Sequence, residues 1–202
     1  MNRKLKTLGL GVVAALALTA VMASTASANF TSTAAHTTIS GTSVESHKFT
    51  AGTGIGAISC TLTLSGTLSG TSQPTMVLTP IFANCKDSLG RTVHANTGTA
   101  KFEFTSTAGK GLFHIIGGSI TFTVTSVFHC TITITPQTGK NNVSYTQEGN
   151  NLKLTFNTNN IHSHISGGPW ACGTSATTSS TGTLTGTALL QGNGGAARIS
   201  VH

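Results

Sequence analysis

Between residues 58 and 68 the chain alternates without a break. Ile58, Cys60, Leu62, Leu64, Gly66 and Leu68 hold the even positions, and Ser59, Thr61, Thr63, Ser65 and Thr67 the odd ones. Successive side chains of a strand point to opposite faces, so this pattern gives one face to a core and the other to water. A helix would scatter both sets around its axis. The same parity returns over Ile120, Phe122, Val124, Phe128, Cys130, Ile132 and Ile134, set against Thr121, Thr123, Thr125, His129, Thr131 and Thr133. Strands usually run about 3–10 residues, so this longer stretch predicts a strand with a bend or bulge near Ser126 and Val127, where the two faces stop differing.

Composition points the same way. The chain has 202 residues with Thr 38, Ser 21 and Gly 24, and only 7% are charged. Exposed helix faces normally carry Glu, Lys and Arg, whereas Thr and other β-branched residues favour strands. Further strand candidates lie at 44–50, 75–83, 99–105, 112–116, 143–147, 152–156, 161–165, 183–190 and 197–201, with connections rich in Gly, Asn and Pro at 70–74, 84–90, 139–142, 148–151 and 167–169. About ten short strands of this kind predict an all-β fold, either an antiparallel β-sandwich or a barrel-like one.

The first residues read as an export signal. Arg3, Lys4 and Lys6 precede an apolar run from Leu8 to Met22, and Ala26-Ser27-Ala28 supplies a small-x-small cleavage pattern. Residues 1–28 are therefore expected to be a signal peptide. Residues 29–202 are expected to be a single all-β domain whose start, 29–36, is mobile. No later segment has the length or apolarity of a membrane span. Removing the signal leaves eight basic residues against four acidic ones, and the basic residues are singly spaced. A phosphate-tracking surface needs several cations on one face, so nucleic acid is not an expected partner. An extracellular or cell-surface ligand is.

Cys60, Cys85, Cys130 and Cys172 all fall in the expected mature chain. An even count in an oxidising compartment reads as two disulfides. Of the three pairings, Cys60–Cys85 and Cys130–Cys172 is preferred, because each joins a strand to a following loop over a short length of chain. No CxxC pair offers the close ligand spacing of a zinc site. The segments Cys60-Thr61-Leu62-Thr63-Leu64 and Cys130-Thr131-Ile132-Thr133-Ile134, the run Pro136-Gln137-Thr138-Gly139 and the export signal together resemble uncharacterised exported β-rich proteins of bacteria. The resemblance implies an all-β fold and an extracellular location. It carries no activity and transfers no site residues.

Chemistry-bearing patterns are sparse. There is no Gly-x-Ser-x-Gly elbow and no His-Glu-x-x-His motif, and the four acidic residues Glu45, Asp87, Glu103 and Glu148 form no evident pair for glycoside hydrolysis. His162-Ser163-His164 places two imidazoles on one face of a strand, where they form a candidate site for zinc or copper. His129 or His114 would have to supply a third ligand through the fold. Trp170, in Gly167-Gly168-Pro169-Trp170-Ala171-Cys172, is a candidate binding anchor held near a disulfide, or a cap on the core. The Thr ranks at 61/63, 121/123/125, 131/133/135 and 181/183/185/187 resemble ice-binding faces, although Thr is also an ordinary residue for the wet side of a strand. No cofactor is implied. The leading expectation is a secreted, disulfide-stabilised protein with a non-catalytic extracellular binding or structural role. One alternative is a secreted hydrolase whose site assembles only in the fold. The other is a barrel carrying a small apolar ligand among Phe102, Phe104, Phe113, Phe122 and Phe128.

Overall fold

The computed structural model describes residues 27–51, 56–107, 110–125, 129–168, 172 and 177–202. Its strands are β1 (Ser27–Ala28), β2 (Phe30–Ser32), β3 (Thr37–Ser43), β4 (His47–Thr50), β5 (Ala57–Leu68), β6 (Ser72–Gln73), β7 (Thr75–Lys86), β8 (Thr92–Asn96), β9 (Lys101–Thr107), β10 (Lys110–Ile116), β11 (Ile120–Val124), β12 (Cys130–Ile134), β13 (Gln137–Glu148), β14 (Asn151–Gly167), β15 (Thr177–Gly192) and β16 (Ile199–Val201). Every pairing between them is antiparallel. The chain is therefore all-β and antiparallel, as the two-residue period requires. Among the described residues, no helix is long and apolar enough to cross a membrane.

The hydrogen-bonded order closes on itself twice. Four long strands, β5, β7, β14 and β15, run the length of the molecule, and each is shared by two circuits. One end is closed by β3, β9, β10 and β13, and the other by β4, β8, β11 and β12. Closure removes the unpaired edges that an open sheet leaves exposed. Alternate residues of the long strands point inward, so β14 reads buried at Leu152, Leu154, Phe156, Thr158, Ile161, Ser163 and Ile165. The step from Thr158 to Ile161 breaks parity at Asn159 and Asn160, both exposed, and Asn160 has φ 59°. Asn tolerates that left-handed conformation better than most residues, so it sits naturally at the bulge.

Aromatic rings fill the interior. Phe102, 1% exposed, lies 4.7 Å from Phe113 and 6.2–6.5 Å from Phe82, Phe104 and Phe156, mostly edge to face. A small sheet of β16, β2 and β6 lies beyond the closed one. The segment 29–36 contributes β2. Its Phe30 is fully buried, 5.4 Å from the Tyr145 ring, and Asn29 and His202 exchange two backbone hydrogen bonds. Burial of this ring is the local contribution of the segment to the core. Residues 1–26 of the expected signal peptide lie outside the described residues, and Ser27–Ala28 pairs with the rim of β9.

The long alternation at 120–134 is not one bent strand but two. Ile120 faces Ile134 and Val124 faces Cys130, so β11 and β12 are a paired hairpin whose 126–128 connection lies outside the described residues. Partners in this register share parity, so the inward stripe continues across the turn as if the chain had never reversed. The candidates 152–156 and 161–165 are conversely a single strand, β14. The turn expected at 139–142 lies inside β13, where Gly139 (φ 69°) and Asn142 (φ 73°) bend it without ending it. The bridges are Cys60–Cys85 and Cys130–Cys172, spanning 25 and 42 residues, and the described residues hold no free cysteine. Cys85 sits on β7 and not in a following loop. The first bridge thus staples adjacent strands at an irregularity between Ser59 and Thr61, opposite Asn84 (φ 52°).

Candidate functional site

Each long strand changes partner along one side, and the change leaves a fork where the ladder has no strand to pair with. Backbone groups there need other partners. On β5 the fork is at residues 61–62, between β3 and β4. Ser43 fills it: its Oγ accepts the Leu62 N–H and donates to the Leu62 carbonyl at 3.0 Å. With its one hydrogen committed, Ser43 Oγ accepts a 3.0 Å bond from His47 Nδ1. On β15 the fork is at residues 186–187. There Thr187 accepts the Val44 N–H on its carbonyl, and its hydroxyl donates to Glu45 at 2.9 Å.

Ser43, His47 and Glu45 thus lie within five residues of one another, the residue types a hydrolase would use. Their bonding is that of a strand clamp. Ser43 Oγ is saturated by the Leu62 backbone and His47, and His47 is 1% exposed with an edge contact to Phe156 at 5.3 Å. Burial lowers the His47 pKa from 6.5 to about 4, with Glu45 opposing the shift. Its Nε2 is buried and has no hydrogen-bond partner among the described residues. Asp87 is likewise structural. Its carboxylate accepts the backbone N–H groups of Leu89 and Arg91 and the Arg91 Nε–H at 2.6 Å, fixing the 87–91 turn.

The widest fork is on β14. Strand β13 leaves it after Phe156 and β12 joins it at His164, so residues 157–163 lack a strand on that side. Two side chains of β13 reach across. Gln137 Oε1 accepts the His162 N–H at 2.9 Å while Gln137 Nε2 donates to the His162 carbonyl at 3.0 Å, reproducing both bonds of a ladder residue. Lys140 Nζ donates to the Asn160 carbonyl at 2.6 Å. Beside the Lys140 strut a polar recess of about 210 Å³ opens, lined by Gly139, Lys140, Asn142, Asn159 and Asn160. Lys140 is only 9% exposed, and among the described residues no carboxylate pairs with it. Burial pushes its pKa below the ordinary lysine value.

His162 and His164 sit beside this fork, both exposed on the outer face of β14. They border a second recess of about 290 Å³, with Thr135, Thr178, Ser179 and Ser180 around them. The sequence-read pairing of the two imidazoles on one face is thus what the strand provides. Among the described residues no group of three His, Cys, Asp or Glu converges anywhere. His114 lies on β10 opposite Glu103, and His129 is exposed just ahead of β12. Trp170 lies outside the described residues.

The Thr ranks at 121–125 and 131–133 are brought into register, Thr121 against Thr133 and Thr123 against Thr131, and His164 continues the row beyond Thr133. The rank at 181–187 is broken, because Thr187 turns into the β15 fork. Where the carrier alternative needs a cavity, the gap among Phe49, Phe82, Phe102 and Phe122 measures about 10 Å³. That is room for one water. Phe128 lies outside the described residues.

Sequence reasoning missed Gln137, Lys140 and Asn160. They fall where Gly, Pro and Asn signal a turn, and nothing local marks a lysine as buried. Comparison with protein families, with curated proteins and with solved structures finds no match to this chain.

Proposed function

We propose that this chain is an exported, disulfide-locked binding protein that engages its ligand from outside the barrel, at the β14 fork, and does not transform it. The observation that carries the reading is the fork itself: a polar recess lined by Lys140, whose ammonium has no carboxylate partner among the described residues. A cation beside a polar recess, without a carboxylate partner among the described residues, is suited to receiving an anion from solution. The filled aromatic interior supports an external site over an internal one. The two disulfides and the apolar N-terminal run with its small-x-small end support export to an oxidising compartment.

The test has two arms. N-terminal sequencing of protein recovered from the exporting host is expected to begin at Asn29. Incubating the purified oxidised protein with cell-surface polysaccharides and their monomers is expected to retain ligand whose mass is unchanged. Turnover that disappears on substituting a histidine or carboxylate would overturn the reading in favour of a secreted hydrolase.

A further inference from the structure

Lys140 stands out because its environment supplies less than an ammonium asks for. It has three N–H donors and one protein partner among the described residues, the Asn160 carbonyl. Among the described residues it is the one cation lining the recess. The side-chain amides of Asn142, Asn159 and Asn160, which share that lining, make no hydrogen bond to any described residue. Each amide offers both donors and an acceptor, the set that recognises vicinal hydroxyls. Two of the three asparagines and Gly139 hold left-handed backbone conformations, at φ 73°, 59° and 69°, so the lining is shaped by bulges of two different strands.

The charge balance narrows the ligand. One ammonium compensates one negative charge, which a carboxylate carries and which a sulfate or phosphate dianion exceeds. The volume narrows it too: about 210 Å³ falls below the ~300 Å³ at which clefts for drug-sized ligands begin. We propose that the β14 fork binds the carboxylate of a single sugar-acid unit, with Lys140 Nζ meeting the carboxylate and the amides of Asn142, Asn159 and Asn160 meeting the hydroxyls. The inference rests on the external binding reading above and specifies its ligand class. An anion seated there would also satisfy an ammonium whose charged form burial disfavours.

The test is an amide-resolved NMR titration of the protein at constant ionic strength with sodium glucuronate, sodium acetate and glucose. Glucuronate is expected to produce saturable shifts at the amides of Gly139, Asn142, Asn159 and Asn160, acetate weaker ones at the same positions, and glucose none. Lys140→Met keeps the stem volume and removes the charge. It should lose about tenfold or more in glucuronate affinity, the scale of a charge-assisted hydrogen bond. Asn159→Ala, at an exposed position that leaves the fold intact, should weaken glucuronate several-fold and acetate little. It decides the matter if Lys140→Met does not fold. Acetate binding as tightly as glucuronate would overturn the sugar component. Unsaturable shifts, or variants binding like the parent, would overturn the site. Saturable glucuronate shifts elsewhere on the surface would overturn this site and leave external binding standing, whereas retention of no ligand at all in the polysaccharide panel would remove both.

Discussion

Acid should loosen this protein through one side chain, His47. In the fold its Nδ1–H is given to Ser43 Oγ, and its Nε2 meets no partner in a site walled by Phe156, Gly186 and the Cys60 strand. Protonation would put a second N–H on Nε2 with nothing to accept it. Glu45 is the charged group that favours the imidazolium, and it is outweighed by burial. The unfolded chain takes up this proton below about pH 6.5 and the folded chain only below about 4, so between those values the unfolded state binds more protons. Stability contributed by the neutral imidazole is therefore complete above about pH 6.5 and is lost as pH falls toward 4.

The magnitude follows from the separation of the two pKa values. At about 1.4 kcal/mol per unit it amounts to roughly 2 kcal/mol lost at pH 5 and about 3 kcal/mol at pH 4, relative to pH 8. Carboxylates titrate over the lower part of this range too, so the informative quantity is the difference between the parent and His47→Gln, which cannot protonate. Urea unfolding followed by circular dichroism at pH 8, 6, 5 and 4 measures it. The variant should be less stable at pH 8, and its deficit should shrink by about 2 kcal/mol by pH 5. A deficit constant across that range would refute the assignment of a neutral, trapped imidazole.

Three further outcomes follow from the fold. Loop lengths of 25 and 42 residues give about 3.5 kcal/mol for Cys60–Cys85 and about 4 kcal/mol for Cys130–Cys172 by the chain-entropy account, so the double serine variant of the second pair should have the lower denaturation midpoint. Phe102→Ala, which removes a ring touching four others, should cost about 3–5 kcal/mol in the same urea assay. Ser43→Ala strips the Leu62 N–H and carbonyl of their partner and should cost about 1–3 kcal/mol, with hydrogen exchange at the Leu62 amide accelerating more than at Leu64.

What could be read from the sequence was whatever depends on parity. The stripe Ile58 to Leu68 faces the core as its alternation demands, and so do the stripes Ile120 to Val124 and Cys130 to Ile134, because a one-face pattern needs no knowledge of which strand lies alongside. Direction of travel is another matter. In β11–β12 the paired residues have the same parity, so a hairpin and a straight strand leave identical patterns, and only the register of Ile120 with Ile134 separates them. Strands β3 and β8 escaped notice because Thr37–Ser43 and Thr92–Asn96 carry few large apolar residues and are held by neighbours on both sides. His162 and His164 were legible as a same-face pair for the reason that made the strands legible. The β14 fork was not, since it exists only where β12 and β13 share one flank of a third strand.

The β14 fork differs from the other partner changes in how its peptide groups are met. A closed antiparallel barrel pairs its backbone around the whole circumference, so only the forks leave peptide groups to be met by side chains. At β5 and β15 the gap is two residues wide, and the short β3–β4 connection fills it with Ser43, Val44 and Glu45. On β7 the gap runs over residues 79–84, but Pro80 brings no N–H to satisfy there, and Lys101 reaches Thr79 Oγ1 at 2.6 Å. On β14 the gap covers residues 157–163, and long side chains at Gln137 and Lys140 span it as two struts, with a recess beside Lys140. A strand continuing through that gap would have satisfied the same peptide groups with no recess. Bridging it by an amide and an ammonium commits both Gln137 Nε2 hydrogens, to the Thr135 and His162 carbonyls, and leaves the surplus donors of Lys140 Nζ facing the recess, where a ligand with matching acceptors can meet them.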